Sequence, residues 1–215
     1  MKTIIWLTAL CGLSCANRMD PASLRLAGRQ DLDITQNEEL ATPTLVRGTL
    51  ADLSKIKKEK RAEPLLQFVK ENPQLFKLNA PDQELRLLRS EGDDLGFTHY
   101  RYERVHKGVP IYGDELILHV NAESQIYQAN GRYHPSIMAE TEPAITAEKA
   151  GTLALEQGVS HKMQNVAKSV LVFYPMQEEL RLAWHVTLSG GMNKWDYFMD
   201  AQTGAVLFDQ DMRRF

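Results

Sequence analysis

The chain has 215 residues, 43% of them hydrophobic and 25% charged, with a formal net charge of −3 and a pI near 6.1. That is enough apolar material for a packed core, and it excludes disorder along the whole length. It also lacks the basic excess a phosphate-binding surface needs, which excludes a nucleic-acid module. The one basic run, Lys55 to Arg61, contains Glu59 and reads as a solvated helix face.

The N-terminus carries an export signal. Lys2 precedes an apolar stretch from Ile4 to Leu13 that is too short to span a bilayer, and Ser14-Cys15-Ala16 offers small residues for cleavage after Ala16. Residues 1–16 are therefore expected to be a signal peptide. Both cysteines, Cys11 and Cys15, fall inside it, so the mature chain would hold no disulfide, thiol nucleophile or thiolate metal site. An alternative keeps Cys15 as a lipid-bearing N-terminus, although Gly12 is small for a lipoprotein box. Past residue 16 no apolar run approaches the ~20 residues of a spanning helix. The expected location is exported: secreted, periplasmic or lipid-anchored.

Residues 17–48 lack a sustained period and read as a partly disordered linker, with a short amphipathic piece from Leu45 to Leu53. A helix is expected from Glu63 to Phe76, with Pro64 at its first position and Pro73 limiting or kinking it. Leu85–Arg89 reads as a strand and Gly92-Asp93-Asp94 as a turn. From Phe97 to Val105 the period is two, with Tyr100 and Tyr102 on one face and His99, Arg101 and Glu103 on the other. Lys107-Gly108 turns, and Pro110, which cannot donate to a ladder, suits an edge or a strand start. Glu115–Asn121 and Gln125–Asn130 follow as strands, closed by an Asn130-Gly131 turn. His134 to Pro143 is a linker.

Thr146 is placed to cap the next helix. Ala147, Ala150, Gly151, Ala154 and Leu155 give it a small-residue stripe, and Gly158 a stop. Strands are expected at 170–174, 181–188, 194–200 and 205–209, with Ser189-Gly190-Gly191 and Gln202-Thr203-Gly204 as turns. The fold class is thus α+β: two small units, each a helix on an antiparallel sheet, the second in a cystatin-like order. The expected boundaries are 49–134 and 141–210, with a tail at 211–215.

Catalytic chemistry is sought and not found. None of the six histidines is followed by glutamate, so the two-histidine zinc helix is missing. His99 with Glu103, and His119 with Glu123, would lie about 13 Å apart along a strand at ~3.3 Å per residue, too far to share a metal. Asp93-Asp94 reads as a hydrated turn, and Trp184 and Trp195 as core or cross-strand residues. No nucleophile elbow, phosphate loop or dinucleotide fingerprint appears. No catalytic residue, metal site or cofactor is expected.

Two stretches resemble known modules. Leu65–Asn72, Leu75-Phe76, Leu95–Tyr102 and Lys107–Gly113 are similar, in order and spacing, to the fungalysin/thermolysin propeptide (FTP) module. Ile145–Ala150, Arg181–Val186 and Trp195–Leu207 resemble a PepSY domain. In that family the two modules precede a zinc endopeptidase, assist its folding and block its active site until they are cleaved. The resemblance therefore implies a non-enzymatic chaperone or inhibitor whose partner is a thermolysin-like zinc metalloprotease. These 215 residues hold no counterpart of the catalytic domain. Candidate partner contacts are Tyr100, Tyr102, Gly108, Pro110 and Tyr112, with Arg213, Arg214 and Phe215 of the tail. Two alternatives stand beside this reading: a truncated or split precursor with no independent role, and an envelope lipoprotein or binding module for an unrelated partner.

Overall fold

The computed structural model describes Leu26, residues 31–177 and residues 179–212. The expected signal peptide, its cleavage at Ala16, the Cys15 alternative and the tail residues Arg213, Arg214 and Phe215 lie outside the described residues. Among those described, no helix is long and apolar enough to cross a membrane.

The first unit builds its core from a helix and the inward residues of alternating strands. Helix α1 (Ala62–Lys70) buries Leu65, Phe68 and Val69, and short α2 (Pro73–Phe76) buries Phe76. These pack with Tyr100, Tyr102, Leu116, Leu118 and Ile126 in one apolar cluster. The expected single helix is two because Pro73 starts a new one: it offers no N–H to continue α1 but suits a first helical position. Pro64 sits third in α1 rather than first, still within the turn whose N–H groups have no helical partner.

A third short helix, α3 (Pro81–Glu84), leads into an antiparallel meander of β3 (Leu85–Gly92), β4 (Thr98–His106), β5 (Val109–Val120) and β6 (Gln125–Arg132). The Asn130-Gly131 turn expected from sequence does not form. Both residues lie in β6, opposite Ile117 and Leu116. A Cβ on Gly131 would stand 2.1 Å from Glu115 O, so glycine is needed here for close strand approach.

The expected linker at 17–48 is also corrected in its described part. β1 (Asp33–Gln36) pairs with β2 (Pro43–Asp52), and β2 pairs with β6. The signal was hidden for two reasons. All four residues of β1 are exposed, and β2 is broken by a register shift between Arg47 and Ala51, where Gly48 takes φ +144°. A bulge of this kind destroys the period of two.

The second unit lays α4 (Ala147–Gly158) across an antiparallel sheet of β7 (Asn165–Met176), β8 (Glu179–Gly190), β9 (Asn193–Asp200) and β10 (Val206–Asp211). The Thr146 hydroxyl accepts from Lys149 N at 3.2 Å, as a cap should. Ala150, Gly151, Ala154 and Gly158 are buried against the sheet. Gly158 is the last residue of α4, as expected, but not as a left-handed cap. It keeps φ −71°, a 3-10 turn follows, and the chain leaves helical geometry at Lys162. Its missing Cβ instead makes room for Leu188 Cδ1, which would lie 2.7 Å away.

The two sheets are joined by β5. Its second half pairs with β4 and β6, while Ile111 pairs in parallel with Phe173 of β7. Between these halves Gly113 takes φ +79° with open space around it, so glycine serves here for conformation alone. Arg104 fixes the chain that runs on to the second unit. Its guanidinium is fully buried and donates to the carbonyls of His134 (3.1 Å) and Pro135 (3.2 Å) and to Glu84 Oε1 (2.9 Å). Burial lowers its pKa, a pull opposed by Glu84 and Asp114.

Candidate partner-binding face

Helix α4 covers one face of the second sheet and leaves the other open. On β9, Tyr197 and Met199 point at the helix with Val186 and Leu188 of β8. By strand alternation Phe198, His185 and Ala183 point away. A register shift between Val166 and Lys168 in β7 brings Val172 and Tyr174 to the same outward side.

Five rings gather there, four from the second sheet and Tyr112 from the first half of β5. Phe198 is the fully buried centre. Around it stand Tyr174 at 4.3 Å, His185 stacked at 4.5 Å, Tyr112 at 4.6 Å and Phe208 at 6.3 Å between ring centroids. The outermost members remain open: Phe208 is 42% and Tyr112 36% exposed. β10 forms the end of the sheet, so its exposed Val206 and Phe208 lie beside an unpaired strand edge.

A polar device holds the cluster from beneath. Asp196, nearly buried, receives the Thr187 hydroxyl at 2.6 Å and has His185 Nε2 3.0 Å from its other oxygen. Burial pushes the Asp196 carboxyl up, but the adjacent His185 imidazole, the hydrogen bond from Thr187 and the charge of Lys168 outweigh that and leave its pKa lowered. The carboxylate stands beside the imidazole that stacks on Phe198. Such a surface can dock an apolar or aromatic partner segment and has no evident reaction chemistry. Among the described residues no group of three or more His, Cys, Asp or Glu side chains stands at metal-ligand spacing.

The contacts expected from sequence divide. Tyr100 and Tyr102 are core residues, 4% and 0% exposed, so they cannot touch a partner. Their period-two pattern marked the buried face of β4, packed on the first helices. Gly108 lies in the exposed β4–β5 turn, and Pro110 is half-buried beside it. Tyr112 alone joins the aromatic cluster. Tyr174, His185, Phe198 and Phe208 were missed. The Lys168 bulge inverts the pattern of β7, and apolar alternation on both faces of β9 does not say which face the helix covers.

The comparisons agree with the resemblance. Residues 83–133 match the Fungalysin/Thermolysin Propeptide Motif, a stretch that runs from the end of α3 through β6. The chain is 31% identical over 202 residues to bacillolysin of Bacillus subtilis (strain 168), covering 88% of this chain and 38% of that protein. It is 30% identical over 196 residues to thermolysin of Alicyclobacillus acidocaldarius subsp. acidocaldarius, covering 84% of this chain and 35% of the relative. It thus spans less than two fifths of the length of these relatives. Among solved structures, the Bacillus megaterium YpeB C-terminal domain overlays 84% of this chain and 75% of its own at 18% identity, with a TM-score of 0.41, a likeness too loose to carry an argument. The chain carries the fungalysin/thermolysin propeptide motif and is homologous to the propeptide region of bacillolysin and thermolysin.

Proposed function

We propose that this protein is an exported chaperone and inhibitor of a thermolysin-like zinc metalloprotease, itself without catalytic activity. Propeptide homology along 84–88% of the chain supports a propeptide-like role. The observation that carries the finer reading is the open aromatic face. It sets two exposed anchors, Phe208 and Tyr112, around a buried ring, an arrangement suited to concentrating binding energy in a few residues. A surface that binds only the folded protease also favours its folding by mass action, so one interface can serve both roles.

The test mixes the purified chain with thermolysin and with bacillolysin. Peptide hydrolysis is followed over a range of chain concentrations, and active protease is recovered after refolding from denaturant with and without the chain. Saturable inhibition and a higher refolding yield are expected. Unchanged hydrolysis together with an unchanged yield would overturn the reading.

A further inference from the structure

On the outer face of the first sheet, His99 of β4 stands directly opposite His119 of β5. Their rings meet edge to face at 4.7 Å, and the two Nδ1 atoms are 2.6 Å apart. The far nitrogens are both turned to oxygen: His119 Nε2 lies 2.5 Å from Asn130 Oδ1, and His99 Nε2 lies 3.6 Å from Asp93 Oδ2. Asn130 is held in place by Gln128 Nε2, which donates to the same Oδ1 at 3.2 Å.

The Asn130 oxygen decides where the proton of His119 sits. An amide oxygen only accepts, so His119 carries its proton on Nε2 and keeps a lone pair on Nδ1. The Asp93 carboxylate, 3.6 Å from Nε2 of His99, is beyond hydrogen-bond reach and leaves the tautomer of His99 free. The Nδ1 lone pair of His119 therefore faces Nδ1 of His99, which meets it either as an N–H donor or, in the other tautomer, as a second lone pair that needs something positive between the two. A proton carried on Nδ1 is one occupant of the gap. The other is a cation that prefers imidazole nitrogen.

We propose that His99 and His119 form a two-imidazole site for a borderline divalent cation, with Zn2+ as its probe. Each ring binds through Nδ1; His119 donates Nε2–H to the Asn130 oxygen, the outer arrangement that orients metal-bound histidine, and the Asp93 carboxylate stands 3.6 Å from Nε2 of His99. Zinc takes imidazole nitrogen at about 2.0–2.1 Å, so the two Nδ1 atoms must part modestly from their present separation. The His99 side chain is 33% exposed, so the rings have room for this and water can complete the coordination. The neighbouring cation, Arg101, is paired with Glu115 and does not stand unbalanced against the site. With only two protein ligands the site is weaker than a structural zinc centre, and its effect is to clasp β4 to β5.

The experiment titrates the untagged, metal-free chain with ZnCl2 at pH 7.5 and follows the six imidazoles by NMR, with thermal unfolding in parallel. The His99 and His119 resonances are expected to move first and together, saturating near one equivalent with a raised Tm. His119→Gln should abolish that step, and Asn130→Ala should weaken it by about tenfold through loss of the orienting oxygen. Unmoved His99 and His119 resonances at one equivalent in the wild-type chain would mean that the rings share a proton only, and would overturn the proposal. This readout stands even if a variant folds poorly. It involves no protease, so its outcome is independent of the inhibitory role.

Discussion

The two units share a plan and differ in what they leave uncovered. Each buries one face of a sheet under helix. The outer face of the first sheet is then finished with polar pairs: Arg101 with Glu115, Arg86 with Glu103 at 2.5 Å, His99 with His119. The outer face of the second is finished with Tyr112, Tyr174, Phe198 and Phe208, rings that pack on one another while Tyr112 and Phe208 still meet solvent. A polar outer face is stable as it stands, whereas an apolar one gains free energy when something covers it. The proposed interface therefore falls on the second unit, although the recognisable propeptide motif at 83–133 lies in the first.

The comparison depends on the units being joined, and the joint is where the largest effect is expected. Arg104→Ala would leave Glu84 and the carbonyls of His134 and Pro135 without their buried donor. A loss of about 3–5 kcal/mol should appear in urea denaturation. Arg104→Lys would recover only part of it, because an ammonium cannot span the same fork of acceptors.

Phe208→Asp places a charge on the open edge of the aromatic face and should weaken inhibition of the protease at least tenfold, about 1.4 kcal/mol. Unfolding measurements on the same variant separate lost binding from lost fold. Equal inhibition by wild type and variant would remove the second unit from the interface.

A smaller effect lies beneath the cluster. The Asp196 carboxyl titrates below its ordinary 3.8 in the folded chain. Its contribution to stability is therefore complete above that value and disappears as pH falls through the lower, folded one. Unfolding free energies measured from pH 5 down to pH 2 should fall more steeply in the wild type than in Asp196→Asn. The smallest effect is expected on the first sheet. Arg86→Ala breaks a pair whose arginine is 53% exposed, and should cost less than about 1 kcal/mol and leave inhibition unchanged.

Much of the fold was legible because its signals are local. Alternation in β4 identified a strand whose buried face is Tyr100 and Tyr102. Thr146 and the small-residue stripe identified α4 and its packing side. What failed was local evidence overridden by neighbours. Asn130-Gly131 has turn chemistry, but the long partner strand β5 keeps it extended. β1 has no buried face and so no period to read. The candidate site was less legible still. Tyr112 was found through its motif, whereas Tyr100 and Tyr102 were offered as partner contacts although their regular pattern meant burial. His99 and His119 were weighed only against acids on their own strands, because nothing in the sequence reveals that 20 residues of separation close into a 2.6 Å contact.

By itself the sequence determined the α+β class, the strand and helix types of most elements and the relation to a propeptide, since these rest on period, capping and motif, which each residue carries with its near neighbours. The tertiary structure alone decided which faces are covered. β5 turns at Gly113 from one sheet into the next and delivers Tyr112 to a surface built by strands 60 and more residues further on. Register across strands is a property of the assembled sheet, where a single bulge such as that at Lys168 exchanges the inside for the outside.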